Sequence, residues 1–213
     1  MQLFGYFRAS AAYRVRIALN LKGVEVDHIP VQLRLQEQAG AAFRQVNPQG
    51  LVPVLVDGEL RLSQSLAIIE YLEERFPAPP LLPSDSADRA RVRAIAQAIA
   101  CEIHPLNNLR VLNHLRDGLG IDEDGRQRWY GHWIAEGFSA IEAMLRDMPR
   151  TAPVCFGATP GLADICLIPQ VFNAERMNCP LDDYPTIRQI AAACRDLPAF
   201  RDAAPDHQAD AAP

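Results

Sequence analysis

Gln64-Ser65 stands where an alternating stretch, Leu60 to Leu62, gives way to apolar residues at Leu66, Ile69 and Leu72. A helix opening at that point offers N–H groups and the positive end of its dipole, which suit a carboxylate. Just upstream, Val52-Pro53-Val54-Leu55-Val56 is a run of strand formers with proline near its start. Proline has no N–H for a ladder, so it belongs at a strand's first residue or on an edge. A cis Val52–Pro53 bond would turn the Val52 backbone outward, able to pair with an extended peptide. Asp57-Gly58 supplies a hairpin turn. A strand edge beside a helix start fits a small acidic peptide as ligand. An ordinary hairpin packed on a helix accounts for the same pattern.

Three further groups could do chemistry. Ser10 opens a helical pattern, where its hydroxyl can cap. His104, Asn107 and Asn108 have i, i+3, i+4 spacing, which puts them on one face if the segment is helical; the plainer reading is a wet helix face. Arg8, Arg110 and Arg176 come from separated segments, and arginine forks match carboxylate oxygens in pairs. For any one of them the alternative is a surface salt bridge. Arg14 and Arg16 read as structural. Tyr13, Trp129, Tyr130 and Trp133 read as packing residues.

Composition excludes several classes. The 213 residues can bury a sizeable core as one large or two small domains. With 49% hydrophobic and 22% charged residues, the chain is an ordinary globular one. A net charge of −5 leaves no basic excess to neutralise phosphates, which argues against nucleic acid. No apolar run approaches a membrane span, and no basic-then-apolar leader is seen. Cys101, Cys155, Cys166, Cys179 and Cys194 are odd in number and widely spaced. They read as free thiols in a reducing cytoplasm, with no metal-type pair among them.

Along the chain, Gln2–Phe7 is an expected strand, followed by a helix whose apolar residues are Val15, Ala18, Leu19 and Leu21. Gly23 ends that helix. Val24–Val31 is a second strand, and Gln36–Gln45 a short polar helix. The order through residue 75 is β-α-β-α-β-β-α, that of a thioredoxin-like domain. Pro77, Pro79, Pro80 and Pro83 mark a linker at 76–84. An all-helical domain is expected at 85–203, led by a long helix from about Asp85 to Leu115 that Pro105 kinks. Further helices are expected at 124–146, 162–173 and 186–194, and a disordered tail at 204–213.

VPVL…QSLAIIEYLEE, preceded by a βα unit and followed by helices, resembles the glutathione-binding half of cytosolic glutathione transferases. YFR-x-S-x-x-x-RVRIALNLKG at 6–23 is similar to the zeta class, whose members include maleylacetoacetate and maleylpyruvate isomerases. The likeness runs from Met1 to about Ala203. It implies the fold just outlined, glutathione as cofactor, and a homodimer formed through the helical domain.

The resemblance also implies residue roles. Ser10 would donate to the glutathione sulfur, with the helix dipole favouring the thiolate. Where the family reads S-S-C, this chain has Ala9-Ser10-Ala11, so Ser10 alone supplies the side-chain hydroxyl. Val52 would pair its backbone with the cysteinyl unit, and Gln64 and Ser65 would hold the γ-glutamyl carboxylate. Gln49 would lie near the glycyl end. HPLNNLR matches isomerases in which His104 and Asn108 help hold glutathione. Arg8 in YFR and Arg176 in NAERM match substrate-carboxylate residues of the zeta class, and Arg110 agrees with maleylpyruvate-type members. Gly161-Leu162-Ala163-Asp164 replaces a Thr/Ser-x-x-Asp capping box, leaving Asp164 to bond back.

The implied activity is cis–trans isomerisation of a maleyl dicarboxylate by reversible thiolate addition, with no metal. Glutathione conjugation and dehalogenation of small α-halo acids are rivals that share the thiolate without needing two anion sites. A non-catalytic glutathione-binding module is the third reading, which the Ala9 and Ala11 replacements motivate.

Overall fold

The computed structural model describes residues 1–211 and divides into two compact units, 1–81 with the chain from Arg195 onward, and Leu82–Cys194. The first unit holds a four-stranded sheet in the order β2-β1-β3-β4. Its strands are β1 (Gln2–Gly5), β2 (Asp27–Pro30), β3 (Val54–Asp57) and β4 (Leu60–Ser63). β1 runs parallel to β2 and antiparallel to β3, and β3 runs antiparallel to β4. Period-2 alternation divides the sheet into two faces. Leu3 and Leu55 are register partners and both fully buried. On the alternate positions Phe4, Val54 and Val56 join Val31 and Phe43 in one apolar cluster.

Helix α1 (Ser10–Lys22) is buried continuously from Ala12 to Leu19 because α3 (Ser65–Arg75) and α9 (Pro198–Arg201) both pack on it. Each such Ile or Leu removed from water stabilises the fold by about 1.5–3 kcal/mol. Gly23, at φ 64°, ends α1 by donating its N–H back to Asn20. That is the left-handed stop expected of glycine here. Lys22, the chain's one lysine, has no exposed side-chain surface and bonds Glu73 Oε2 at 2.5 Å and the Pro79 carbonyl at 2.6 Å. Residues 33–39 form two 3₁₀ turns before a short α2 (Ala41–Val46), in place of the single polar helix expected at 36–45.

The end of the chain departs from expectation. Arg195–Ala203 belongs with the first unit and not with the helical domain predicted to run to 203. Phe200 is fully buried, and α1 supplies donors to this segment's carbonyls: Tyr13 Oη to Phe200, Asn20 Nδ2 to Ala199, Arg16 Nε to Ala203. The expected disorder from 204 is not found up to Ala211. Pro205–His207 and Ala209–Ala211 are 3₁₀ turns, with Pro205 buried and Gln208 Nε2 bonded to the carbonyls of Asp202 and Ala204. Ala212 and Pro213, also assigned to that tail, lie outside the described residues.

The second unit contains α4 (Ser86–Gln97), α5 (Leu109–Asn113), α6 (Glu123–Arg146), α7 (Leu162–Arg176) and α8 (Pro185–Arg195), the last running one residue past its boundary. The expected continuous helix from 85 to 115 is broken instead of kinked. After Gln97 the backbone widens into a π turn over Ala98–Ile103, with His104 N–H reaching Ile99 O. Pro105 then has no N–H to offer Cys101, and the chain turns before Asn108 starts α5. α7 is longer than expected and buried along most of its length, although Pro169 lies inside it. Gly137 lets α6 approach the π turn: a Cβ there would meet Ile103 Cδ1 at 2.3 Å.

Buried carboxylates tie this unit together. Glu142 of α6 accepts N–H bonds from Thr186 and Ile187 at 3.0 Å each, capping α8 from another helix. Asp164 accepts from Gly161 N–H at 2.9 Å and Cys155 N–H at 2.8 Å. Glycine has no side chain to accept the Asp164 N–H, so only the carboxylate half of a capping box is present, and that carboxylate also takes the loop amide of Cys155.

Candidate functional site

The strand registers bring the first unit's predicted residues to one end of the sheet. Phe4 of β1 faces Val54 of β3, and Val54 faces Ser63 of β4. The loop leaving β1 toward Ser10, the Val52–Pro53 segment entering β3, and the Gln64–Ser65 segment leaving β4 therefore meet at that end. The Val52–Pro53 bond is cis, and Val52 lies ahead of the β3 ladder, half-buried against the Val31–Phe43–Val54 cluster.

Ser10 is buried and is the first residue of α1. Its expected role as cap does not hold. Ala9, at φ −68° and ψ 114°, is the boundary residue, and its carbonyl accepts the first helical bond from Tyr13 N–H at 2.9 Å. Ser10 is thus part of the first turn, where N–H groups point out of the helix end. Arg8 is half-buried, with its guanidinium carbon 5.2 Å from the Phe7 ring centroid.

Gln64 precedes α3 at φ 71° and ψ 116°, a backbone state that side chains other than glycine rarely adopt. This conformation sends the chain from β4 directly into α3 and turns the Gln64 side chain to donate to Gln49 Oε1 at 3.0 Å. Gln49 is set in turn by Asn47. Its buried amide oxygen accepts Gln49 N–H at 3.1 Å, while its nitrogen donates to the Leu51 carbonyl at 2.7 Å. Ser65 is buried at the first position of α3, and its hydroxyl accepts a bond from Arg14 Nη1 at 3.4 Å. Gln49, Gln64 and Ser65 are neutral donors above a cation, a set that suits a carboxylate. With the bend at Val52, just ahead of β3, beside them, these residues fit a short acidic peptide such as glutathione.

In the second unit, His104 and Asn108 bound the short connection between the π turn and α5, and Arg110 lies in the first turn of α5. They do not form a helix face, because the helix is interrupted between them. Asn108 Oδ1 caps α5 by accepting Val111 N–H at 3.2 Å. Asn107 is buried, donating Nδ2 to the Tyr130 carbonyl at 3.2 Å, and Trp129 Nε1 donates to the Leu106 carbonyl at 2.9 Å. α6 therefore holds the segment that follows Pro105. His104 is half-buried and Arg110 exposed.

Arg176 is the exposed last residue of α7. Asn178, at φ 52°, turns the chain there, and Gln127 of α6 bonds the Met177 carbonyl. Burial pushes the Tyr130 hydroxyl well above its usual range, opposed by the positive charge of Arg176.

Asn47 was not among the expected site residues, and Arg14, expected to be structural, is buried and bonded to Ser65 in keeping with that expectation. Asn47-Pro48 followed by Gly50 is a turn signature that could have flagged the first. For Arg14, the signal is a charge among Tyr13, Val15 and Ala18 on a buried helix, one turn after Ser10.

Residues 3–80 match the family model described as the glutathione S-transferase N-terminal domain. A probable maleylacetoacetate isomerase of Vibrio cholerae is 51% identical over 211 residues, covering 98% of this chain and 97% of that one. A solved holo structure of maleyl pyruvate isomerase, described as a bacterial zeta-class glutathione S-transferase, is 48% identical. Its TM-score is 0.97, with all of both chains covered. A maleylacetoacetate isomerase structure from Methylobacterium extorquens, with bound malonate and glutathione, is 36% identical at a TM-score of 0.95, again over all of both chains. With relatives of this class matched along nearly the whole of both chains, the chain belongs to the zeta class of the glutathione S-transferase family.

Proposed function

We propose that the protein is a glutathione-dependent cis–trans isomerase of a maleyl-type dicarboxylate, maleylpyruvate or maleylacetoacetate. The observation that carries this reading is the meeting of Ser10, Val52 and Gln64–Ser65 at one sheet end, in a chain whose full-length relatives bear isomerase names. Malonate and glutathione together in a relative's structure support a dicarboxylate beside the thiol.

When bound, glutathione supplies a thiolate that adds reversibly to the double bond, so that the bond can rotate before the thiol is returned. Gln64 and the α3 N-terminus at Ser65 hold the γ-glutamyl carboxylate. Val52 pairs its backbone with the cysteinyl unit, and Gln49, His104 and Asn108 are the further glutathione contacts that the family resemblance implies. The Ser10 hydroxyl donates to the sulfur, and the start of α1 favours the anion. Arg8 and Arg176 hold the substrate's carboxylates and stabilise the negative charge that develops on it, with Arg110 as a further substrate contact. They should therefore matter more for turnover than for binding. We infer a homodimer and a cytoplasmic location from the family resemblance.

The test is steady-state isomerisation of each maleyl acid with and without glutathione, with the thiol titrated before and after. Turnover that requires glutathione and leaves its thiol intact is expected. Conjugation or halide release in its place would favour the transferase and dehalogenase readings.

A further inference from the structure

The loop between β1 and α1 is held by the far end of the chain. Tyr6–Ala9 is a tight turn, closed by Ala9 N–H to Tyr6 O at 3.0 Å. Phe7, the first of its two central residues, is anchored through both peptide groups. The Phe7 N–H donates to Asp210 Oδ2 at 3.0 Å, and the Phe7 carbonyl accepts Arg16 Nη2 at 2.9 Å. The same guanidinium donates Nε to the Ala203 carbonyl at 2.9 Å, so one buried side chain bonds both the loop and the returning strap. The strap itself is fastened by the buried Ala203 and Pro205 and by the two bonds from Gln208.

The residue that Asp210 and Arg16 clamp is the one directly before Arg8. With both Phe7 peptide planes pinned, little freedom remains in the dihedrals that aim Arg8 and Ser10. Without Asp210 a half-buried N–H loses its acceptor, and one of those planes is released.

We propose that the C-terminal strap, through the Asp210 carboxylate acting with Arg16, is a positioning element for the Phe7–Ser10 loop and sets where the Ser10 hydroxyl and the Arg8 guanidinium are presented. This rests on the assignment of Ser10 and Arg8 to the glutathione-dependent reaction. Asp210 makes no contact with substrate in this scheme.

The test compares the full chain with Asp210→Ala, Asp210→Asn and a truncation after Gln208. Amide exchange at Phe7 reads the clamp in the ligand-free protein. Ultraviolet thiolate absorbance against pH reads the bound sulfur, and kcat and KM are taken separately. Asp210→Ala and the truncation should speed Phe7 exchange, raise the bound thiol's pKa and lower kcat about tenfold, since small misplacements at a reacting centre are costly. The KM for glutathione should stay within about twofold, because the carboxylate and cysteinyl contacts remain. Asp210→Asn keeps an acceptor oxygen and should recover most of the loss.

Unchanged Phe7 exchange in Asp210→Ala would overturn the clamp. Faster exchange with unchanged thiol pKa and kcat would overturn its role in positioning. Loss in Asp210→Asn equal to that in Asp210→Ala would show that the charge, and not the hydrogen bond, is what matters, against the proposal. A wild-type protein that binds no glutathione would defeat the functional reading instead, and the exchange comparison would still decide the clamp.

Discussion

Arg14 Nη1 donates to Ser65 Oγ across 3.4 Å, linking the helix that begins with Ser10 to the first residue of the helix that begins with Ser65. Arg14 is only 1% exposed, so its charge acts with little screening beneath the proposed γ-glutamyl carboxylate site. Arg14→Met should weaken glutathione binding about tenfold, the scale of one charge-assisted hydrogen bond. An analogue lacking the γ-glutamyl α-carboxylate should bind both proteins alike. Calorimetric titration of the two ligands checks this, and equal losses for both would point to a general loosening of the fold.

Gln64 carries left-handed backbone strain at a proposed ligand contact. Gln64→Gly should relieve it and raise stability by about 1 kcal/mol, read as an upward shift of the denaturation midpoint. The same change removes the amide that bonds Gln49, and glutathione affinity should fall about tenfold or more. Opposite signs in the two measurements would mark the strain as serving the site. Gln64→Ala should lose affinity without gaining stability.

Lys22 and Glu73 form the buried pair that joins α1, α3 and the proline-rich connection, Glu73 also accepting Leu81 N–H at 2.9 Å. Lys22→Met leaves a carboxylate with little access to water, and should cost about 3 kcal/mol in chemical denaturation. Replacing both partners with apolar residues should recover much of that loss, because the desolvation of the charges disappears with them.

His28 is held below its ordinary pKa of 6.5, first by burial and then by the nearby Arg16 charge, with Asp210 and Asp27 opposing. A base whose folded pKa is lowered binds fewer protons folded than unfolded. Stability therefore rises with pH through the window just below 6.5 and is lost as pH falls through it. His28→Asn should flatten the denaturation midpoint against pH in that window. A slope unchanged by the substitution would assign it to other groups.

Much of the first unit could be read locally. Gly23 needed a left-handed stop, Asp57-Gly58 a turn, and Val52-Pro53 an entry to a strand, each a property of one or two residues. The second unit was less legible where two local rules competed. The apolar spacing of Val92, Ile95, Ile99 and Ile103 runs smoothly toward Leu106, but Pro105 removes a donor and a turn replaces the helix. His104 and Asn108, sharing a face on paper, ended on either side of that break. The strap was illegible for another reason: Ala203–Ala211 has no large apolar residue, and its order comes from donors on α1 and from Phe7, far away in sequence. Arg14 was obscured in the same way, since a charge on a buried helix has meaning only once its partner on α3 is known.

The central claim is tested most directly by following maleylpyruvate and maleylacetoacetate by absorbance with the purified protein, with and without glutathione, while titrating free thiol. Conversion of at least one acid to its trans isomer is expected only when glutathione is present, with the thiol undiminished at the end. Tight glutathione binding with no isomerisation of either acid would contradict that claim.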